Sequence, residues 1–327
     1  MKQNSLRSWI AAHINVFYAG VLLAAAICVG MLSNDSILFV MTRILCMALL
    51  AVSLNLQFGF GGMTNLGGGM IFSLAGYAMM VGCVRFGWGL LPSILFAMVV
   101  MAAVSLFLGY ICLRNNMLTF TFCSMGLTMV AFAVISKISF LGRDTGLIKT
   151  VAPAWMAGQR NQFFVFLIVV AACLLAIYYF TKSPFMQIIV GARENDERLT
   201  FLGINIRQVR LVVFTVSGMF ASVAGILYAI LNSGAHITSI DPIVSIQAIL
   251  MCIIGGASSF LGPVFGSVIV MFIINVVSAS TPYFKAVLGI VTIFCVYCLP
   301  NGIFGRDGRV MKALNGILTG SIAEEGQ

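Results

Sequence analysis

The chain has 327 residues, of which 61% are hydrophobic and 8% charged, and its mean hydropathy is +1.09. Soluble domains average about 45–50% apolar and about 25% charged residues, so this composition excludes a soluble enzyme or a nucleic-acid-binding domain and points to an integral membrane protein. The net charge of +9 is spread over loops and termini without a basic block, and reads as a topology signal.

The apolar runs, mostly 16–25 residues without a period of two, have the length of helices crossing a hydrocarbon core and not of barrel strands. In chain order they predict about ten spans: 16–32, 37–58, 68–86, 89–113, 117–141, 162–181, 211–231, 243–261, 263–281 and 284–300. The expected fold is an all-α polytopic transmembrane helical bundle, a single transmembrane domain over 1–327 with the cytoplasmic loop 182–210 within it. The first run has a signal-peptide-like basic flank (Lys2, Arg7), but the spans that follow favour a retained helix. Counted from an inside N-terminus, the cations at Lys2, Arg7, Arg114, the 182–210 loop and Arg306, Arg309 and Lys312 all fall inside. Both termini are then cytoplasmic. The 142–160 loop, with Arg143, Lys149 and Arg160, goes against that trend on the outside.

Five spans on either side of the midpoint suggest two halves of inverted topology. Corresponding positions carry FGFGGMTNLGGG (Phe58 to Gly69) and NSGAHITSID (Asn232 to Asp241). Two readings fit these stretches: broken backbone at membrane depth, which must line a cavity or be buried by protein, or ordinary polar turns. GGASSFLGPVFG, with Pro263, predicts a tight inner-side crossing of two spans.

The apolar runs hold few ionisable groups, Arg43 and Lys137 near outer ends, and no carboxylate pair. That argues against catalysis and against a proton- or sodium-driven carrier. No GxxxxGK[ST] occurs, so any ATP chemistry belongs to another subunit. His13 and His236 lie far apart, and Cys295–Cys298 has no acidic or histidine neighbour, so neither a metal nor another cofactor is expected.

The exception to the avoidance of charge is the 182–210 loop. It holds Lys182, Arg193, Glu194, Asp196, Glu197, Arg198, Arg207 and Arg210, in a chain of 18 basic and 9 acidic residues. From Arg193 to Leu202 the residues are helix-compatible, with Glu194 and Arg198 at i,i+4, an apolar face of Leu199, Phe201 and Leu202, and Gly203 placed as a left-handed cap. A short amphipathic helix docking in a partner's groove and a solvated charged loop are the two readings.

The run from Ser183 to Ala229, SPFMQIIVGARENDERLTFLGINIRQVRLVVFTVSGMFASVAGILYA, resembles the signature of the inner-membrane permeases of branched-chain amino acid ABC importers, especially the larger of their two permease subunits. LNLQFGFGGMTNLGGGMIFSLAGYAMM from Leu54, GRDTGL from Gly142, SIQAILMCIIGGASSFLGPVFG from Ser245 and PNGIFGR from Pro300 also resemble that family, in order. The resemblance implies a non-catalytic permease in the bacterial inner membrane. It would work with ATP-binding cassette subunits, a second homologous permease and an extracytoplasmic solute-binding protein. It makes Arg193, Glu194, Asn195, Leu199, Phe201, Leu202 and Gly203 the segment coupling to the ATPase. Arg198 to Leu202 depart from the family's small Ala-rich residues, so the fit to the ATPase is specific to this chain. Where the family runs Ser-Leu-Gly-His, this chain has Asn65, Leu66, Gly67 and Gly68. The solute is then a branched-chain or other hydrophobic amino acid, or else urea or another small polar molecule. Thr64, Asn65, Thr121, Ser239 and Ser245 are the substrate-pathway candidates, with interhelical hydrogen bonding as the competing role. An autonomous secondary transporter or channel and a scaffold without transport are the alternatives from other classes.

Overall fold

The computed structural model describes residues 34–280, apart from 115, 152, 154, 155, 157 and 258, together with 27, 30, 31, 286, 289, 290, 293 and 302. Apart from those few positions, the expected spans 16–32 and 284–300 lie outside the described residues, as do Cys295 and Cys298 and the closing motif except Gly302.

Helices α1 (Asp35–Asn55), α2 (Gly68–Val84), α3 (Leu90–Cys112), α4 (Met117–Lys137) and α5 (Gln159–Thr181) come first. The charged loop forms α6 (Pro184–Glu194) and α7 (Asp196–Phe201), and α8 (Ile206–Leu231), α9 (Pro242–Gly255) and α10 (Gly262–Ser280) follow. Every expected span within 34–280 therefore meets a helix. Five of the described helices are long and apolar enough to cross a membrane: α1 with its terminal π-turn, α3, α4, α5 and α8. Shorter apolar helices at Gly68–Val84, Pro242–Gly255 and Gly262–Asn275 accompany them.

Burial separates an axis from a rim. The most apolar window of α1 is 67% buried and that of α8 56%, against 22–28% for α3, α4 and α5. The outer helices turn Leu91, Leu95, Val99, Phe107, Leu118 and Phe122 outward, as lipid-facing surfaces require. α2 packs on α8 and α3, and α1 on α8, α5 and α10. The α2–α8 crossing is close enough that a Cβ on Gly225 would lie 1.7 Å from the Phe72 carbonyl oxygen. The α9–α10 crossing, expected from GGASSFLGPVFG, is as tight: a Cβ on Gly255 would lie 1.9 Å from the Gly262 oxygen.

The loops gather on two faces. On one, Leu147–Ile148 (β1) and Gly234–Ala235 (β2) form an antiparallel pair, Leu147 opposite Ala235. There also Lys149 Nζ donates to the Cys83 carbonyl at 2.9 Å and Arg85 Nε to that of Phe140 at 2.9 Å. These contacts absorb one of the cations that ran against the charge trend. On the other face, Asn55 Nδ2 donates to the Ser259 carbonyl at 3.1 Å and Arg207 to that of Tyr110 at 3.3 Å.

Candidate functional site

The stretch after α1 is broken backbone. α1 ends in a turn of π-helix, Leu56–Phe60, and Met63 N–H bonds back to the Gln57 carbonyl at 2.8 Å. The chain then runs irregularly to α2, and its polar groups are met from α4: Thr121 Oγ1 donates to the Thr64 carbonyl at 2.9 Å, and Leu66 N–H donates to Ser124 Oγ at 3.1 Å. Thr128 lies a turn further along, 3.4 Å from the Leu66 carbonyl. Side-chain partners on α4 replace the helical ladder for the Thr64 and Leu66 carbonyls and the Leu66 N–H.

The second interruption packs against the same two helices. Ile237–Ile240 forms a short 3₁₀ turn packed against α2 and α4. The Ser73 hydroxyl donates to the Ser239 carbonyl, and Gly69 N–H donates to Ser245 Oγ at 2.7 Å. Ser245 belongs to the first turn of α9, which Asp241 caps by accepting from Ile243 N–H at 2.9 Å. The five pathway candidates thus fall into two clusters joined by the first turns of α2: Thr64, Asn65 and Thr121 in one, Ser239 and Ser245 in the other. Sequence reading missed Ser73, Ser124 and Thr128. Thr121, Ser124 and Thr128 stand at i, i+3 and i+7, a polar stripe visible in the sequence.

Beside the Ser73–Ser239 contact lies a shallow crevice, with room for about one water molecule, walled by Phe72, Gly76, Tyr228, Ala229 and His236. Its Tyr228 ring is 5.3 Å from that of Phe72 and has the Arg43 guanidinium 6.0 Å from its centroid. His236, expected as a lone surface residue, is half-buried in this wall.

The charged loop departs from a single helix over 193–202. Asn195, extended at φ −159° and ψ 105°, separates α6 from α7, and its Oδ1 accepts the Arg198 N–H at 3.1 Å. An asparagine followed by Asp196 and Glu197 is a helix start, and the short side chain prefers that role to a helix interior. Glu194 is exposed at the end of α6 instead of facing Arg198 on one helix. The ion pair found is Arg210 with Asp196, at 2.8 and 2.9 Å to its two oxygens, tying α7 to α8. Gly203 closes α7 as expected: at φ 78° its N–H bonds to the Thr200 carbonyl at 2.9 Å, and Ile204 N–H bonds to that of Leu199 at 3.2 Å. This double bond pattern satisfies the carbonyls of the last turn.

Leu199 does not share an outward face with its neighbours. It is half-buried, near enough to Gly191 that an added Cβ there would lie 3.5 Å away. Phe201 and Leu202 are 88% and 74% exposed. Arg193 reaches into the bundle and donates to the Gly59 carbonyl. Gly59 is itself wedged, since a Cβ would lie 2.1 Å from the Ala257 oxygen and 2.2 Å from Asn55 Oδ1.

The family model for the permease component of branched-chain amino acid transport systems matches residues 36–296. The chain belongs to this family. The high-affinity branched-chain amino acid transport permease LivM of Escherichia coli is 21% identical over 304 residues, 84% of this chain and 71% of LivM. LivH, the corresponding permease protein of the same organism, is 24% identical over 286 residues, 79% of this chain and 91% of LivH. The xylose transport permease XylH of Haemophilus influenzae is 29% identical over 142 residues, 43% of this chain and 36% of XylH. No solved structure matches. The resemblance read from the motifs is therefore upheld, and the chain is a multi-pass membrane permease with no ATP-binding motif of its own.

Proposed function

We propose that the chain is the non-catalytic permease subunit of an ATP-binding cassette importer that carries branched-chain or other hydrophobic amino acids across the bacterial inner membrane. It works with ATP-binding subunits, a second homologous permease and an extracytoplasmic solute-binding protein. Both termini face the cytoplasm, and the chain makes about ten spans in two inverted halves. Two long-helix, break, short-helix units, α1 with α2 and α8 with α9, support that plan.

The observation that carries the reading is the α6–α7 segment. It is folded, closed by the Gly203 cap, pinned to the bundle through Arg193 and Asp196, and it still presents Phe201 and Leu202 to solvent. An apolar tip on an anchored segment fits a groove in a partner, and the anchors would carry the partner's motion to α1 and α8. Thr64, Asn65, Thr121, Ser239 and Ser245 are assigned to the solute path, where the two interruptions meet. The polar lining and the similarity to XylH favour a second reading, import of urea or another small polar solute by the same machinery.

Reconstitution of the complete importer in proteoliposomes tests this. Deleting Arg193–Gly203 is expected to leave ATP hydrolysis without uptake, and Phe201→Ser with Leu202→Ser to weaken ATPase association. Normal ATP-driven uptake after the deletion, or gradient-driven flux through the purified chain alone, overturns it.

A further inference from the structure

The end of α3 is graded by depth. Leu106, Phe107, Tyr110, Ile111 and Arg114 are all exposed and form one stripe along the helix, opposite the buried Ser105, Gly109 and Cys112. The chain is still turning where the stripe ends, since Arg114 N–H bonds to the Ile111 carbonyl at 3.5 Å. Along the stripe, apolar side chains give way to a tyrosine and then to a cation. A bilayer passes from hydrocarbon through its interface to the headgroups in the same order.

α8 brings a second cation to that level. Gly109 lets it close in on α3, because an added Cβ would lie 2.8 Å from Leu211 and from Phe214. One turn before Leu211, the exposed Arg207 has its guanidinium 5.1 Å from the centroid of the Tyr110 ring and donates to the Tyr110 carbonyl at 3.3 Å. An arginine at a helix end ordinarily snorkels into water. This one is laid on a tyrosine that stands four residues, about one turn, before Arg114. Arg210, the next cation along α8, has its own carboxylate in Asp196. Among the described residues, neither Arg114 nor Arg207 is in an ion pair, although Glu194 and Glu197 of the charged loop are exposed. A guanidinium carries five N–H donors, and the Tyr110 carbonyl occupies one of those on Arg207.

We infer that this end of the α3–α8 pair binds the headgroup of an anionic phospholipid. Arg207 and Arg114 hold the phosphodiester, and Phe107 and Ile111 lie along its acyl chains. The guanidinium fork matches the oxygens of a phosphate, and basic sites between membrane helices take such headgroups. Tyr110 holds Arg207 in place before the lipid arrives, so less side-chain freedom is lost on binding. The bound lipid ties α3 to α8 one turn from the Arg210–Asp196 anchor of α7, whatever solute the bundle carries.

The test uses the full-length chain in detergent, offered equal amounts of phosphatidylglycerol and phosphatidylcholine with the same acyl chains. Retained lipid is measured by mass spectrometry after gel filtration. Each arginine near a membrane surface is worth about fivefold, so the parent is expected to prefer phosphatidylglycerol about twenty-five-fold, and Arg114→Gln or Arg207→Gln to reduce that to about fivefold. Lys137→Gln removes the same charge from the exposed far end of α4 and is expected to leave the preference unchanged. An equal loss from Lys137→Gln would mean a diffuse attraction to net charge and overturns the site. A parent preference below about fivefold also overturns it, and that result requires no variant to fold. Displacement of the lipid by millimolar inorganic phosphate at constant ionic strength would make the ligand a free phosphate and refute the lipid assignment.

Discussion

The guanidinium of Arg193 donates to the carbonyl of Gly59, joining the C-terminal turn of α6 to the π-turn that ends α1. Gly59 abuts the Ala257 backbone, and Asn55 bonds to Ser259, so the cation sits where α1 and the α9–α10 turn also meet. A displacement of α6 has a polar route to the end of α1 and to the α9–α10 turn. Arg193→Ala is expected to reduce uptake by about tenfold, an energy equivalent near 1.4 kcal/mol, while ATP hydrolysis by the assembled complex persists. Parallel assays of the two activities in proteoliposomes check this, and equal losses in both would mean failed assembly instead of uncoupling.

Asp196 and Arg210 hold α7 in a different way. Both carboxylate oxygens engage one guanidinium nitrogen, with side chains 46% and 14% exposed. A pair this accessible is worth about 0.5–1 kcal/mol, well below a buried one. A double-mutant cycle with Asp196→Asn and Arg210→Gln, read by thermal unfolding in detergent, is expected to return a coupling energy in that range. The coupling should shrink in high salt.

The spans were legible because hydropathy is a local property and lipid rewards it directly. α3 and α4, whose outer faces carry Leu91, Val99, Leu118 and Phe122, begin and end within a few residues of expectation. Gly203 was legible for a similar reason, since a left-handed cap is coded at one position. The break at Asn195 was missed although Asn-Asp-Glu is a helix-start signal, because the helix-compatible residues on both sides suggested continuity. Contacts such as Gly69 with Ser245, 176 positions apart in the chain, have no local code. The sequence supplied the polar residues of the two interruptions, and the packing of α2, α4 and α9 brings them together.

At the α2–α8 crossing, Gly225→Ala would push a methyl to within 1.7 Å of the Phe72 oxygen, and backbone on both sides would have to move. Overpacking of this kind costs about 1–3 kcal/mol or more. Gly126 on α4 has nothing within 4 Å of an added Cβ, and alanine there removes the helix penalty of glycine. Thermal unfolding of the two purified variants is expected to place Gly225→Ala well below the parent and Gly126→Ala at or slightly above it.

Ser245 offers a test of how firmly the interruptions are closed on each other. Its hydroxyl accepts the Gly69 N–H at 2.7 Å in a fully buried setting, and a Cβ on Gly69 would lie 2.9 Å from that oxygen, so no larger group replaces it there. Ser245→Ala removes the acceptor and leaves a buried amide unmet, a loss of about 1–3 kcal/mol. If this contact belongs to the closed path, that cost falls on the closed state more than on an open one, where water reaches the amide. The expected outcome is a modest fall in thermal stability together with a raised rate of ATP-independent leucine leak from loaded proteoliposomes. Lower stability with no change in leak would assign Ser245 to helix packing alone, the competing role for small polar residues in bundles of this kind.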